Sequence, residues 1–124
     1  MTVINRVFDA MRAGDSAMAR TAFDSTARLM TAMPDGLRLG SLNAFLNAVG
    51  SPHDAVWDEP IWDWEVQIDG PLAQVWTKYA FYLGDRFSHC GVDAFQLYRR
   101  PEGWKIIQLI DTRRQEGCEM PPGR

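Results

Sequence analysis

The hydrophobic pattern of this 124-residue chain changes its period near Trp57, and this change constrains the fold more than any other feature. Before Trp57, apolar residues recur at the spacing of helical turns, and after it apolar and polar residues alternate as they do in strands. A chain of this length has room for one hydrophobic core. Helices followed by strands around one core are typical of an α+β domain, whose helices pack on one face of a sheet.

Three helices are predicted in the first fifty residues. The first carries an apolar stripe and ends at Gly14, a residue that readily adopts left-handed geometry. Asp15 or Ser16 then caps a second helix, and Ser41 caps a third. Between the second and third helices, the turn sequence Pro34-Asp35-Gly36 predicts a small hairpin. The residues expected to be buried from the second helix are Ala17, Met18, Ala22 and Phe23.

Four strands are predicted after Trp57, each closed by residues that favour turns. Together they form an antiparallel meander. We expect a single domain over residues 1–114 and a C-terminal tail over 115–124. The strands cover about Ile61–Asp69, Leu72–Leu83, Phe87–Arg99 and Trp104–Thr112.

Charge and composition exclude several classes of partner. Thirteen basic and sixteen acidic side chains give a net charge of -3, which argues against a nucleic-acid partner because phosphate binding needs a basic face. No apolar run is long enough to span a membrane, and charges interrupt residues 1–14 where a signal peptide would be apolar. Cys90 and Cys118 can form one bridge at most, and we expect both to be free thiols in a reducing compartment. These features predict a cytoplasmic protein without a membrane partner.

The order of elements resembles the nuclear-transport-factor-2-like superfamily, on two sequence blocks near the C-terminus. One block is residues 87–97, Phe-Ser-His-Cys-Gly-Val-Asp-Ala-Phe-Gln-Leu, and the other is residues 103–107, Gly-Trp-Lys-Ile-Ile, followed by Asp111-Thr112-Arg113. The likeness is greatest to bacterial SnoaL-like and lumazine-binding-like proteins. It implies a cone-shaped (cystatin-like) α+β domain, in which a strongly curved antiparallel sheet carries three N-terminal helices on its concave face. It also implies a pocket for a small apolar molecule and a homodimer joined through the convex face.

Strand alternation assigns residues to the two faces of that sheet, and a bulge would invert the assignment. We expect His89, Asp93 and Phe95 on the concave face of the third strand, and Trp104 and Gln108 on the concave face of the fourth. Trp62 and Trp64 are expected on one face of the first strand. Aromatic residues make up 11% of the chain, so they either stack on a planar ligand or fill the core and a dimer interface. The predicted ligand-binding residues are Trp57, Trp62, Trp64, Trp76, Tyr79, Phe81, Phe95 and Gln108.

His89 and Asp93 are the predicted catalytic residues. His89 is a candidate general base because the ordinary pKa of histidine lies near neutrality, and Asp93 is a candidate acid whose pKa an apolar cavity would raise. The alternative is structural, with His89 bonded to a loop carbonyl and Asp93 to a backbone amide. About 13 Å of strand separates them, so they would reach a ligand from different depths.

The remaining polar residues are predicted to lie in solvent. His53 belongs to a loop, Arg113 and Arg114 form a surface pair, and His89 and Cys90 face opposite ways, which disfavours a metal site. No cofactor-binding motif is present. The carboxylates expected at a solvated edge are Asp58, Glu59, Asp63 and Glu65.

Three functions follow from this pattern. The first is an isomerase, cyclase or dehydratase that acts by proton transfer on an apolar carbonyl compound. The second is a carrier that binds an aromatic heterocycle without turnover. The third is a dimeric interaction domain whose cavity is filled by its own side chains.

Overall fold

The computed structural model covers residues 1–124 and has three helices, at the places that the sequence predicts. They are α1 (Thr2–Ala13), α2 (Ser16–Arg20) and α3 (Leu42–Gly50). Gly14 ends α1 in the left-handed conformation, with φ 65°. The side chains of Asp15 and Ser41 cap α2 and α3 by accepting backbone N–H groups of Met18 and Ala44 at 3.0 and 2.9 Å.

Seven strands form one sheet, which is curved and does not close into a barrel. The spatial order is β2-β1-β7-β6-β5-β3, and β4 pairs with another stretch of β5. All four predicted strands are present with nearly the predicted bounds. The strands are β1 (Phe23–Met33), β2 (Gly36–Leu39), β3 (Trp57–Asp58), β4 (Ile61–Asp69), β5 (Leu72–Leu83), β6 (Arg86–Arg100) and β7 (Gly103–Thr112).

The α+β fold class is confirmed, but the sheet is mixed rather than purely antiparallel. The hairpin predicted at Pro34-Asp35-Gly36 is present, and its first strand, β1, runs parallel to β7. Phe23 opens that strand, whereas we predicted it on α2. Local patterning misses this pairing because the parallel partners are about eighty residues apart in the chain.

The helices pack on the inner face of the sheet. Val7 and Phe8 of α1 are buried with Leu46 of α3 and Ile106 of β7 in the main core. Phe8 meets Phe95 of β6 edge-to-face, with ring centroids 6.3 Å apart. Burying this apolar surface between the helices and the sheet is the main force that holds the layers together.

A bulge at Ile107 inverts the face assignment of β7. Leu97 pairs with Ile106, whereas Gln96 pairs with Gln108, so one extra residue lies between the two pairs. Trp104 faces the helices as predicted, beside the buried Ile106. Gln108 was wrongly placed, because it lies on the convex face, where its Nε2 donates to Oε1 of Gln96 at 3.1 Å.

A second bulge, in β4, separates Trp62 from Trp64. The register shifts between Trp62 and Glu65, and Asp63 takes a positive φ of 56°. Trp62 therefore packs on the convex side beside Tyr82, whereas Trp64 packs against the main core. The prediction that both tryptophans share a face is wrong for this reason.

The two cysteines form a disulfide, so the prediction of free thiols is wrong. Backbone bonds between Cys90 and Arg114, at 2.9 Å each, continue the pairing beyond β7. Residues 115–117 then turn, and Cys118 returns to within 6.0 Å of Cys90 between Cα atoms. The cysteines no longer support a reducing compartment, and cytoplasmic location stays a prediction. None of the three helices has the length and apolar character needed to cross a bilayer.

Gly91 lies where the end of β7 comes closest to β6. A Cβ atom at this position would stand 2.1 Å from the carbonyl oxygen of Thr112 and 2.8 Å from its Oγ1. Because the obstacle is mainly backbone, it cannot move aside as a flexible side chain would. The residue opposite Gly91 on β5 is Tyr79, whose hydroxyl donates to the same Thr112 carbonyl at 2.6 Å.

We expect Gly91→Ala to lower the free energy of unfolding by about 3 kcal/mol, because the added methyl group forces the end of β7 away. Gly70→Ala is the control, since Gly70 has a φ of 54° and open space around it. Gly70→Ala should lower the free energy of unfolding by about 1 kcal/mol, because of backbone strain alone. Urea unfolding of both variants measures the difference, and equal losses would contradict the close approach.

Candidate functional site

A cavity of about 490 Å³ lies between the inner face of the sheet and helices α1 and α3. Its walls are mostly apolar, and its polar side chains come from β1, β2, β6, the end of β7 and the residues next to α3 and β3. An apolar enclosure with a few convergent polar groups is the usual form of a small-molecule site. The polar residues that line it are Thr31, Arg38, Ser41, Glu59, His89, Asp93, Asp111 and Arg113.

The carboxyl groups of Glu59 and Asp93 face each other within hydrogen-bonding reach. Asp93 is 4% exposed, and its Oδ2 has no hydrogen-bond donor. Two ionised carboxylates cannot bond to each other because neither has a proton to donate. A hydrogen bond between them therefore needs a proton on one member of the pair.

Burial raises the pKa of both members of this pair. Loss of solvation raises the pKa of Asp93 to about 7, and the neighbouring Asp111 carboxylate adds to the shift. Loss of solvation, with the charge of Asp93, holds the pKa of Glu59 well above its usual range. The pair can thus hold a proton at neutral pH and donate it to a ligand.

Asp111 is held in place by two donors, and the Tyr79 hydroxyl, which donates to the Thr112 carbonyl, lies beside it. Thr31 Oγ1 donates to its Oδ1 at 2.6 Å, and Arg113 Nε donates to its Oδ2 at 3.0 Å. The hydroxyl of Tyr79 lies 3.1 Å from the same Oδ2. Burial, together with the charge of Asp111, raises the pKa of Tyr79 far above its usual value, so the phenol keeps its proton. This network fixes Asp111 and Arg113 at the edge of the cavity.

His89 presents one side of its ring to the cavity. Its Nδ1 lies 3.0 Å from Ser88 Oγ, and Phe81 and Tyr79 pack against the ring at centroid distances of 5.2 and 5.8 Å. Burial, with the positive charge of Arg113, lowers the pKa of His89. The imidazole is therefore neutral near pH 7 and able to accept a proton.

An aromatic wall closes the cavity beside β3. Trp57 stacks on His53 with ring centroids 4.0 Å apart and meets Phe81 edge-to-face at 6.1 Å. His53 Nε2 bonds to the Ala48 carbonyl at 2.7 Å, so this histidine supports Trp57 from behind and is half-buried rather than solvated as predicted. Trp57 is the one tryptophan that lines the cavity.

The structure brings four of the predicted site residues to the cavity. These are His89, Asp93, Trp57 and Phe81. Three more, Trp64, Tyr79 and Phe95, pack in or against the inner core. Trp62, Trp76 and Gln108 belong to the convex side, and Trp76 is 54% exposed there.

Sequence reasoning missed Glu59, Asp111 and Arg113. Glu59 was assigned to a solvated edge, yet it lies two residues after Trp57, so strand alternation pointed to the same face. Asp58, in the same predicted edge, is also only partly exposed because Arg12 and Arg124 bond to it. Arg113 is exposed as predicted, and the bulge in β7 also brings it to the edge of the cavity, which the sequence did not predict. No group of three or more His, Cys, Asp or Glu side chains is arranged to hold a metal ion.

Comparison with solved structures identifies the fold. An NTF2-like protein of unknown function from Shewanella baltica is 18% identical, with a TM-score of 0.73 over 93% of this chain and 90% of its own. A Nostoc punctiforme protein of unknown function with a cystatin-like fold is 12% identical, with a TM-score of 0.76 over 94% and 89%. A Streptomyces avermitilis protein, described as a "putative dehydratase from the NTF2-like family", is 15% identical, with a TM-score of 0.68 over 91% of each chain.

The chain has the nuclear-transport-factor-2-like fold. No family model matches the sequence, and no curated protein matches it either. At these identities the likeness establishes the fold of this chain and leaves its chemistry to be argued from the site. The SnoaL-like or lumazine-binding-like branch stays a prediction.

The raised pKa of Asp93 predicts that the protein loses stability as pH rises from about 4 to about 7. The folded state holds this proton more tightly than the unfolded chain, so the contribution is complete below the unfolded pKa and lost above the folded pKa. We compare the free energy of unfolding of Asp93→Asn with that of the wild type. This difference should be about 2 to 4 kcal/mol more favourable to the variant at pH 8 than at pH 4.

Urea unfolding at the two pH values measures this difference. Asp54→Asn, at an exposed loop position, is the matched control and should change stability equally at both. An Asp93→Asn effect that is independent of pH would show that Asp93 titrates like a solvated carboxyl.

Proposed function

We propose that the protein binds a small apolar carbonyl compound in this cavity and catalyses proton transfer next to the carbonyl group. The observation that carries the proposal is the Glu59–Asp93 pair, in which Glu59 is half-buried and Asp93 is buried with no donor to its Oδ2. Such a pair is costly to bury, and a ligand oxygen that accepts its proton would offset part of that cost. The apolar walls favour a ligand that is largely hydrocarbon or aromatic.

The proposed proton transfer uses one group as the base and another as the hydrogen-bond donor. His89, neutral and open to the cavity, accepts the proton from the carbon next to the carbonyl. The protonated member of the Glu59–Asp93 pair donates a hydrogen bond to the carbonyl oxygen, where negative charge develops. Return of the proton to a different carbon gives an isomer, and loss of a leaving group from the neighbouring carbon gives a dehydration. The mechanism requires no cofactor.

A carrier without turnover is the second candidate, and the aromatic wall favours it. Trp57 and Phe81 offer ring surface to a planar ligand, and a ligand bound there would alter Trp57 fluorescence. Quenching by a ligand, lost in Trp57→Phe, with no product formed by the wild-type protein, would favour the carrier. Binding and catalysis share the cavity, so the two candidates differ only in whether His89 and Asp93 act on the ligand.

The catalytic proposal is tested with a panel of aryl and cyclic ketones in D₂O. Proton NMR then follows exchange of the hydrogen next to the carbonyl. We expect His89→Gln to slow exchange by about 100-fold or more, since the base is lost. Asp93→Asn should slow it by at least about tenfold, because an amide is a weaker donor than a carboxylic acid.

Both variants should still show quenching of Trp57 by the same ketone, because the apolar walls are unchanged. Asp54→Asn is again the matched control and should exchange at the wild-type rate. Wild-type exchange rates in both His89→Gln and Asp93→Asn would refute the assignment of the two residues.

We also propose a homodimer joined through the convex face. Trp76 and Tyr98 are 54% and 41% exposed there, and between them run uncharged glutamines on adjacent strands. Gln74 bonds to Gln67, and Gln108 bonds to Gln96, so the middle of this surface carries no charge. Charged residues flank it, with Glu65 paired to Trp76 and Lys105 paired to Tyr98. Exposed aromatic residues with a charged rim are typical of protein interfaces, and a second copy offers the same surface in a two-fold arrangement.

Gln96→Glu should weaken this dimer, because a two-fold axis brings the new charges of both copies into one desolvated interface. Sedimentation velocity measures the dimer fraction, and we expect a shift to monomer at concentrations where the wild-type protein is dimeric. Gln115→Glu makes the same change on an exposed turn and is expected to leave the dimer intact. A wild-type protein that sediments as a monomer would rule the interface out.

A further inference from the structure

The segment 115–124, which follows the last strand, is packed against the protein at several points. It leaves the sheet at Arg114, is joined to β6 by the Cys90–Cys118 disulfide, and continues along the convex side. Glu119 pairs with Lys78 at 3.1 Å, and Pro121 is buried. A segment with these contacts is ordered structure, although its sequence predicts only a tail.

Arg124 makes the contacts that connect this segment to the cavity. Its guanidinium lies over the Tyr82 ring, 3.6 Å from the centroid, and donates to Asp58 Oδ2 and to the Gly84 carbonyl, both at 2.8 Å. One side chain thus joins β3, β5 and the turn that follows β5. Arginine is suited to this arrangement because its planar group can stack and donate at the same time.

Asp58 is the residue immediately before Glu59, on a strand of only two residues. It pairs with Tyr82 of β5, and Arg12 of α1 donates to its other oxygen at 3.3 Å. The side chain of Asp58 is held from outside the cavity, while Trp57 and Glu59 on either side of it line the cavity. So short a strand has few backbone bonds of its own, and the position of Glu59 depends on how firmly Asp58 is held.

We propose that segment 115–124 is a latch, fastened by the Cys90–Cys118 disulfide, in which Arg124 positions Glu59 against Asp93 by holding Asp58. Arg124 is a positioning residue and touches no ligand. An ion pair at a partly exposed site contributes little by itself. The disulfide lies six positions before Arg124, so it keeps the guanidinium at a high effective concentration beside Asp58.

The disulfide also makes the latch reversible. A dithiol reductant supplies two electrons and two protons, the S–S bond breaks, Cys90 and Cys118 become thiols, and the reductant becomes a disulfide. Reduction then leaves the segment attached only through residue 114 and its non-covalent contacts. Water gains access to the Glu59–Asp93 pair when β3 moves, and a better-solvated pair releases its proton at lower pH.

Carbon-13 NMR titration of the side-chain carboxyls tests the latch without any substrate. Asp111 and Arg113 act on the charge of the pair, Arg38 and His89 line the same cavity, and Tyr79 lies beside Asp111; all are unchanged in every variant. We expect Arg124→Met and Cys118→Ala each to lower the apparent pKa of the Glu59–Asp93 pair by about half a unit or more. Wild-type protein reduced with dithiothreitol should shift in the same direction and recover on reoxidation.

Two further variants distinguish positioning from general loss of stability. Arg124→Lys keeps the charge and should restore most of the wild-type pKa, whereas Arg20→Met, an exposed position without an ion pair, should leave it unchanged. Circular dichroism confirms that each variant is folded at the titration temperature. If Cys118→Ala fails to fold, Arg124→Met and reduced wild-type protein carry the test.

A pair that titrates identically in wild-type, Arg124→Met and reduced protein would overturn the latch. This inference rests on the proposed function only in treating Glu59 and Asp93 as the reactive pair. The titration separates the two, since a latch that shifts the pKa stands even if no ketone is turned over. The opposite outcome is also possible to detect. If ketone exchange depends on Asp93 but the pKa of the pair is the same in Arg124→Met, the proposed function is supported and the latch is refuted.

Discussion

The close approach of β7 to β6 at Gly91 is the constraint on which the rest of the site depends. Only a residue without a side chain lets the Thr112 carbonyl come so near the β6 backbone. That carbonyl then accepts the Tyr79 hydroxyl, and the same hydroxyl lies beside Asp111. Cys90, the residue before Gly91, bonds to Arg114 and carries the disulfide to the following segment. One glycine thus allows the strand end to supply two polar groups of the cavity and the anchor of the C-terminal segment.

The resulting cavity has apolar walls and contains a carboxyl pair that holds a proton. Asp93 is buried by its place in the middle of β6, and Glu59 is brought to it by a two-residue strand held from outside. Desolvation favours the neutral form of each carboxyl, and their mutual repulsion prevents both from ionising together. The same desolvation lowers the pKa of His89, so this side chain is also neutral near pH 7. A neutral acid and a neutral base can therefore line one cavity.

How much of this could be predicted from the sequence differs between the fold and the site. Helix caps at Asp15 and Ser41, the hairpin turn and the strands after Trp57 follow from local rules, because each depends on residues close together in the chain. The inward direction of His89 and Asp93 likewise follows from alternation along β6, since that part of the strand is regular. Alternation failed at Gln108 and at Trp62 because each lies next to a bulge, and a bulge leaves no clear mark in the sequence.

Local chemistry determined the helical and stranded segments and the presence of an apolar inner face. Tertiary structure alone decided which polar side chains meet. The pairing of β3 with β5 brings Glu59 to Asp93, the parallel pairing of β1 with β7 brings Thr31 to Asp111, and the turn after Arg114 brings Cys118 to Cys90. The spacing of apolar residues predicts only whether its own segment is helical or extended. A carboxyl pair or a disulfide depends instead on where segments distant in the chain lie in the folded protein.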